Sequence, residues 1–354
     1  MTLASLRLLP LLALAPLLPL LGGCLEKDKI ATIPDAENQL FTPDGRLIVT
    51  GGNGVFEIKR PGNGFVAESI SAEVSGSCNY TGLAQIGDWI FTACQQRPQG
   101  LLGPVDNHLL AARVVSGQPL RFVQVERASP DPMDALAIPN GMAVTPDGHL
   151  LIADFNLFMA AGVARVALDF GGARPRVASF EAQWLAGTHD IYHPNGVRVN
   201  GNELFVSDLN AVKRYQFDAA GNVPFALATP DGRSVRNEVL VYQGIDLLDD
   251  IQPQCGGLVI SDYSGGRLVY MAPAGADSNG LPTYRMGSAS GLGSLQQPSS
   301  TQIGRAPLFA GDDLLVTEKG VLGDLSSSYG NKLSRVKMGV DLGTAAGCAA
   351  INAM

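Results

Sequence analysis

Residues Pro139–Asp154 read PNGMAVTPDGHLLIAD, and the fold of the whole chain follows from this pattern. Two apolar runs flank a polar turn at Asp147 and Gly148, where the glycine supplies the positive φ that a tight hairpin turn needs. The pattern predicts a β-hairpin. Comparable patterns recur in residues 41–50, 86–93 and 199–208, with less regular copies in residues 257–262 and 311–318.

The copies are spaced like the blades of a β-propeller. The first strand of each unit is expected to begin near residue 37, 81, 140, 195, 243 or 300. Neighbouring units then lie roughly 45 to 60 residues apart, and no long amphipathic helical pattern interrupts them. We therefore predict an all-β fold with a single domain in residues 35–354, a six-bladed β-propeller with about four antiparallel strands per blade.

The composition agrees with a folded domain and excludes two classes of protein. The chain has 354 residues, 46% of them hydrophobic, which excludes an intrinsically disordered protein. The net charge of −8 argues against nucleic acid as a partner, because phosphate binding requires a basic surface. The 42 glycines fit a fold that is rich in hairpin turns.

The N-terminal segment has the pattern of an export signal. In residues 1–23 a single charge, Arg7, precedes the apolar run Leu8–Leu21, which is too short to span a bilayer and fits a signal peptide. The sequence LGGC, which ends at Cys24, resembles the lipobox of bacterial lipoproteins. An ordinary secretory signal followed by an incidental cysteine is the alternative interpretation.

The lipobox resemblance implies a membrane anchor. Cleavage before Cys24 and acylation of that cysteine would leave residues 24–34 as a lipidated tether, with the lipid bilayer as a partner. The resemblance also implies a place in the bacterial cell envelope. Leu25, the residue after the cysteine, favours the outer membrane with the protein facing the periplasm.

Four cysteines remain once Cys24 is set aside, an even number that suits an oxidising compartment. We expect one disulfide between Cys78 and Cys94, which flank a predicted hairpin, and a second between Cys255 and Cys348 near the C-terminus. Buried free thiols are the alternative.

Polar residues converge where the innermost strands of a propeller begin, beside the central channel. The predicted register places an oxygen-bearing side chain at this point in every unit, and these residues are Glu37, Thr81, Asn140, Asn195, Gln243 and Ser300. An oxygen-rich ring suits a hard cation such as calcium. The Asn-Gly pairs also have a purely structural explanation, since asparagine and glycine are common where a strand begins after a turn.

Three motifs resemble the senescence-marker-protein/gluconolactonase (regucalcin-like) propellers. They are Pro139-Asn140-Gly141, Pro194-Asn195-Gly196, and Glu37 followed by Thr42-Pro43-Asp44-Gly45. The resemblance implies calcium or another divalent cation in the channel, held by Glu37, Asn140 and Asn195. It also implies that the metal polarises the carbonyl of a lactone, the small-molecule ligand, during hydrolysis.

The catalytic base is less well defined by the sequence. The family supplies an aspartate from a later blade, and the predicted register places Gln243 there, with Asp246 and Asp249 nearby. We expect Asp246 or His193, which precedes Asn195 by two residues, to act as the base. Asp154, Asp208, Asp262 and Glu318 recur at one strand end and are expected to hold turns.

Two other functions fit the same pattern. One is a non-catalytic propeller that binds a small molecule or serves as a scaffold, and the other is a metal-free propeller similar to strictosidine synthase. A fold alone does not select among them. The distinguishing feature is whether a second carboxylate joins Glu37 at the channel.

Overall fold

The computed structural model of the protein describes residues 27–96, 106–127, 131–229, 231–287 and 294–354. The predicted signal peptide and the acylation site Cys24 lie outside the described residues.

The first part of the described chain contains one separate strand and two blades. The strands are β1 (Lys27–Thr32), β2 (Gln39–Phe41), β3 (Leu47–Gly51), β4 (Gly54–Lys59), β5 (Val66–Ala72), β6 (Asn79–Ile86), β7 (Trp89–Gln96), β8 (Asp106–Arg113) and β9 (Arg121–Gln124). Strands β2–β5 form the first blade and β6–β9 the second. A short parallel pairing of β5 with β9 joins the two blades at their outer edges.

The third and fourth blades follow, and the fourth carries an inserted hairpin. Their strands are β10 (Pro139–Val144), β11 (Leu150–Asp154), β12 (Val163–Asp169), β13 (Arg176–Leu185), β14 (Pro194–Asn200), β15 (Glu203–Asp208), β16 (Ala211–Gln216), β17 (Ala226–Ala228), β18 (Ser234–Arg236) and β19 (Val239–Gln243). Strands β17 and β18 pair only with each other, so β19 is the outermost strand of the fourth blade. Short 3-10 helices at Pro132–Ala135 and Gly187–His189 precede the two blades.

The last two blades end in a short helix. They contain β20 (Leu248–Gln254), β21 (Gly257–Asp262), β22 (Arg267–Ala276), β23 (Pro282–Met286), β24 (Pro298–Ile303), β25 (Asp313–Gly320) and β26 (Gly330–Lys337), and α1 (Ala345–Ala353) follows. The sixth blade consists of β24, β25, β26 and β1, so both ends of the described chain build it.

These sheets form a closed ring, which confirms the predicted all-β propeller. Each innermost strand, among them β2, β6 and β24, contacts the innermost strands of the two neighbouring blades, and the contact of β24 with β2 closes the circle. Six hydrophobic clusters separate the six blades, one between each adjacent pair. Because neighbouring blades cover both faces of a blade, every residue of the second strand β11 is buried. Residues of the outer strand β13 are mostly exposed or half-buried.

Strand β1 corrects the predicted domain boundary. The tether was expected to extend through residue 34, yet residues 27–32 pair with β26 and belong to the sixth blade. Strand β1 precedes the first blade in the chain and yet completes the sixth. This pairing stabilises ring closure, because the ring cannot open without breaking it.

Both predicted disulfides are present. One joins Cys78 to Cys94 in the second blade, and the other joins Cys255, in the turn between β20 and β21, to Cys348 in α1. The second bond fixes the terminal helix to the fifth blade. No helix of the described part of the chain is long and apolar enough to cross a membrane.

Candidate functional site

The Asn-Gly motifs lie where the innermost strands approach one another around the axis. A Cβ on Gly141 would lie 2.7 Å from the carbonyl oxygen of Asn195, and one on Gly82 would lie 2.1 Å from that of Asn140. Glycine is therefore required for the close packing of strands, while the residue before it is free to present a polar side chain to the channel.

In three blades a hydroxyl group on the second strand donates a hydrogen bond to the backbone carbonyl of the axial residue in the next blade. This contact identifies the axial residue where no Asn-Gly motif marks it. Thr50 Oγ1 donates a hydrogen bond to the carbonyl of Thr81, and Thr317 Oγ1 donates to that of Glu37. Ser207 Oγ donates in the same way to the carbonyl of Asp249. Asp249 is therefore the equivalent of Glu37 and Thr81 in the fifth blade.

The predicted register was wrong at two of the six axial positions. Gln243 is exposed at the end of β19, where its Nε2 donates to Asn210 Oδ1 at 3.1 Å, and Asp249 takes its place at the axis. Ser300 lies one residue too far along β24. The axial residue is Ser299, whose hydroxyl donates to Asp249 Oδ2 at 2.9 Å. Pro298 before it could have revealed this, since Pro139 and Pro194 also precede axial residues.

A lysine that the sequence analysis did not select lies at the centre of the site. Lys319, in β25, makes an ion pair with Glu37 and lies 3.9 Å from the carboxylate of Asp35. Only 5% of Lys319, 2% of Glu37 and 6% of Asp249 is exposed to solvent. We call Asp35, Glu37, Asp249, Ser299 and Lys319 the axial cluster.

Lys319 directly follows Glu318, one of the recurring acidic residues. In the same place after Asp154, Asp208 and Asp262 the chain has Phe155, Leu209 and Tyr263. A basic residue at this position of the repeat was the available signal, and it marks the sixth blade as different from the third, fourth and fifth.

Electrostatics in the axial cluster follow from burial and from the single ammonium group. Burial raises the pKa of Glu37, although the Lys319 charge opposes the shift. Burial and then the negative charge of Glu37 raise the pKa of Asp249 well above its usual range. Burial by itself would lower the pKa of Lys319, but the three carboxylates outweigh it and the pKa is raised, so the ammonium stays charged.

Arg198 links residues of several blades beside the axial cluster. From the fourth blade its guanidinium pairs with Asp250 of the fifth blade, and it donates to Asn38 Oδ1 in the first blade at 3.1 Å and to the Met142 carbonyl in the third at 2.9 Å. A side chain that reaches all three blades must cross the axis. Burial raises the pKa of Asp250 to about 6, although Arg198 opposes the shift.

The two predicted bases lie outside the axial cluster. Asp246 is in the loop between β19 and β20, where its carboxylate pairs with Arg267 at 3.2 Å. His193 donates from Nδ1 to the carbonyl of Asn156 at 2.5 Å and so ties two loops together. Neither placement supports the predicted role, and Asp249 is the carboxylate that the fold brings beside Glu37.

The recurring acids hold the connections between blades, as expected. Asp154 accepts hydrogen bonds from the backbone N–H groups of Ala137 and Ile138 at 2.8 and 2.7 Å. Glu318 accepts from Gln296 N at 2.6 Å. Asp154 and Glu318 thus fix the segments that lead into innermost strands and so position the axial residues that follow. Asp262 instead holds its own turn, where it accepts from Gly265 N at 3.0 Å.

The residues that the resemblance assigns to a metal do converge, but the axial cluster does not fit a divalent cation. Glu37, Asn140 and Asn195 all occupy axial positions, and Asp249 adds a second carboxylate. The Lys319 ammonium, however, is already paired with Glu37. Among the described residues no group of three or more histidine, cysteine, aspartate and glutamate side chains is arranged to hold a metal ion.

An apolar surface surrounds the same end of the channel. It is formed by loop residues that follow second strands or precede innermost strands, namely Leu157, Phe158, Met159, Ile245, Val321, Leu322 and Leu325. We call this set the apolar rim. Phe158 is 85% and Ile245 95% exposed. Leu325 reaches the axial cluster, since a Cβ on Gly52 would lie 2.7 Å from both Leu325 Cδ2 and Asp35 Cβ.

Solved enzyme structures share this fold at low sequence identity. A luciferin-regenerating enzyme aligns with a TM-score of 0.55 and 12% identity over 88% of this chain and 95% of that one. A PQQ-bound aldose sugar dehydrogenase from Streptomyces coelicolor aligns at 0.53 and 13% over 88% and 96%. A gluconolactonase from Xanthomonas campestris aligns at 0.49 and 14% over 87% of each chain.

Identities in this range show a common fold and no more. No protein-family model and no curated protein sequence matches the chain. The protein is therefore a β-propeller with a buried cluster of carboxylates and one lysine at the end of its channel, and its activity has to be argued from that cluster.

Proposed function

We propose that the protein hydrolyses lactones or related small esters, and that the axial cluster is its active site. The observation that carries the proposal is the placement of Asp249, whose Oδ2 accepts from Ser299 at 2.9 Å, in the same buried cluster as the ion pair of Lys319 with Glu37. A second carboxylate at the axis is the feature that distinguishes a hydrolase from a non-catalytic binding propeller. A solved structure with the same fold is a sugar dehydrogenase, which agrees with small-molecule chemistry in this fold.

The residues of the axial cluster can divide the reaction between them. The Asp249 carboxylate accepts a proton from water while the water oxygen attacks the carbonyl carbon, and the alkoxide released when the ester C–O bond breaks recovers that proton. Lys319 carries three N–H donors, so it can pair with Glu37 and also donate to the carbonyl oxygen as negative charge develops there. No step requires a metal.

The calcium that the sequence resemblance implies is not part of this proposal. A calcium ion in contact with Glu37 would meet the Lys319 ammonium, which is buried and would lose its carboxylate partners if it moved away. The proposed enzyme therefore resembles the metal-free alternative in its cofactor requirement, and it uses the positive charge of its own lysine.

The apolar rim indicates the substrate class. Exposed large apolar side chains are normally dispersed, whereas here they gather at the end of the channel that carries the axial cluster. We propose that the rim receives the acyl or aryl portion of the substrate while its carbonyl reaches Lys319. This favours aliphatic lactones and aryl esters over sugar lactones, because the rim offers large apolar side chains for contact.

Replacing Phe158 with serine tests the rim. We expect KM for an aliphatic lactone to rise about five- to tenfold with little change in kcat, because removing one exposed phenyl contact forfeits on the order of 1 kcal/mol of binding. Steady-state kinetics measure the effect. Phe225→Ser is the matched control, since Phe225 is also exposed but lies beside the inserted hairpin. An equal effect of both substitutions, or none from Phe158→Ser, would refute a role for the rim.

We also propose that the protein is anchored in the bacterial cell envelope through acylated Cys24, at the outer membrane and facing the periplasm. The lipobox-like sequence before Cys24 supports this, and the two disulfides suit an oxidising compartment. Cys24→Ser should move the protein from the membrane to the soluble fraction. Fractionation followed by immunoblotting measures the shift, and a variant that stays with the membranes would show that another element anchors it.

A panel of substrates tests the proposed reaction. The purified chain is incubated with aliphatic lactones, aryl acetates and gluconolactone, and hydrolysis is followed by proton release. We expect turnover of the first two classes above the buffer rate. Binding of these compounds without turnover would favour the non-catalytic propeller instead.

A further inference from the structure

We propose that Lys319 is a built-in counter-ion that takes the place of a divalent cation at the axis, so that a single substitution of this lysine converts the axial cluster into a metal site. The inference goes beyond the proposed hydrolysis and does not depend on it.

The oxygen ligands around Lys319 come from three different blades. Glu37 from the first blade pairs with the ammonium, and Asp249 from the fifth lies close enough to raise the lysine pKa. Asn195 occupies the equivalent axial position of the fourth blade, and its buried Oδ1 has no hydrogen-bond partner among the described residues, so it is available as a further ligand. Carboxylate and amide oxygens on opposing strands are the ligand types of calcium.

The charges in the cluster explain why one cation is required. Asp35, Glu37 and Asp249 are all more than nine-tenths buried, and Lys319 is the only cation that the structure describes in ion-pair contact with the first two. Buried carboxylates need a compensating positive charge. An ammonium and a calcium ion in this space would repel each other, so the two are alternatives.

The backbone holds Lys319 in place. Its N–H donates to the carbonyl of Gln297 at 3.0 Å, and the next residue, Gly320, has a φ of 75°. A Cβ on Gly320 would lie 2.1 Å from the carbonyl oxygen of Tyr329, so the backbones of β25 and β26 are in close contact next to Lys319. The ammonium therefore stays in the axial cluster unless this end of the sixth blade opens.

Calcium binding to Lys319→Met tests the inference. Methionine is unbranched and only one atom shorter than lysine, and it removes the charge. We expect calcium to leave the melting temperature of the wild-type full-length protein unchanged and to raise that of Lys319→Met by about 5 °C or more at saturation. Lys332→Met is the control, because Lys332 lies on the adjacent strand β26 and pairs with Glu318 outside the axial cluster. Calcium should not stabilise it.

The double variant Lys319→Met with Glu37→Gln removes both the ammonium and its carboxylate partner. It shows whether an effect of Lys319→Met comes from the unpaired carboxylate or from a general failure to fold. It should not respond to calcium, because it lacks one ligand. If Lys319→Met folds only in the presence of calcium, the inference is supported. It is overturned if calcium stabilises the wild type as strongly as Lys319→Met, if folded Lys319→Met fails to bind calcium, or if the single variant stays unfolded with calcium while the double variant folds without it. None of these results depends on hydrolysis.

Discussion

Arg198→Met is expected to lower the free energy of unfolding by about 3–5 kcal/mol, because it leaves the buried Asp250 carboxylate without its cation. Arg198 crosses the channel, and its guanidinium links Asp250, Asn38 and the backbone of the third and fourth blades. Denaturant unfolding followed by tryptophan fluorescence measures the loss. The control is Arg113→Met, which breaks an exposed pair with Asp88 and should cost less than about 1 kcal/mol.

The loss in Arg198→Met should also depend on pH. The pKa of Asp250 is raised to about 6 in the folded protein from an ordinary 3.8, so the folded state binds more protons between these values. Removing Arg198 raises this pKa further, because the opposing positive charge is lost. The variant therefore recovers stability as the pH falls and Asp250 becomes neutral. A loss that is equal at pH 5 and pH 8 would contradict the assigned pair.

Asp249→Asn is expected to lower kcat for lactone hydrolysis about 10²- to 10⁴-fold with little change in KM, because the amide cannot accept the proton of water. Ser299 donates to Asp249 Oδ2, and asparagine can keep that contact, so the geometry is preserved. Kinetics of the two proteins on the same lactone measure the effect. Asp246→Asn is the control, since Asp246 pairs with Arg267 in a loop, and its kcat should stay near that of the wild type.

The wild-type pH profile follows from the same assignment. Asp249 must be ionised to act as a base, and its pKa is raised by burial and by Glu37. The rate should therefore increase with pH, with a midpoint above the range of an ordinary aspartate. A rate that is already maximal near pH 4 would show that the base is a carboxylate of ordinary pKa.

The sequence predicts the fold better than it predicts the site. Hairpin turns, blade spacing and the Asn-Gly motifs are local patterns, and they correctly identify the ring and the axial positions of Glu37, Thr81, Asn140 and Asn195. The fifth blade was misplaced because the hairpin of β17 and β18 lengthens the fourth, so the residue near 243 belongs to an outer strand. The shift from Ser299 to Ser300 arose because the sixth unit lacks the Asn-Gly pair that marks the axial residue in the third and fourth.

The repeat marks Lys319 as unusual, but no local pattern predicts which residues Lys319 and Arg198 pair with. Lys319 meets Glu37 only because the last blade closes against the first, and 282 positions separate the two residues. Arg198 meets Asn38 across the axis from 160 positions away. In a closed ring, charged residues from blades that are distant in sequence pair with each other. Their partners can therefore be identified only from the folded structure.

Hydrolysis in the presence of a chelator tests the central claim most directly, namely that a carboxylate and a lysine at the channel mouth act without a metal. The rate of aliphatic lactone hydrolysis by the wild-type protein is measured with excess EDTA and again with added calcium. We predict the same kcat/KM under both conditions. Activity that disappears with EDTA and returns with calcium would contradict the account.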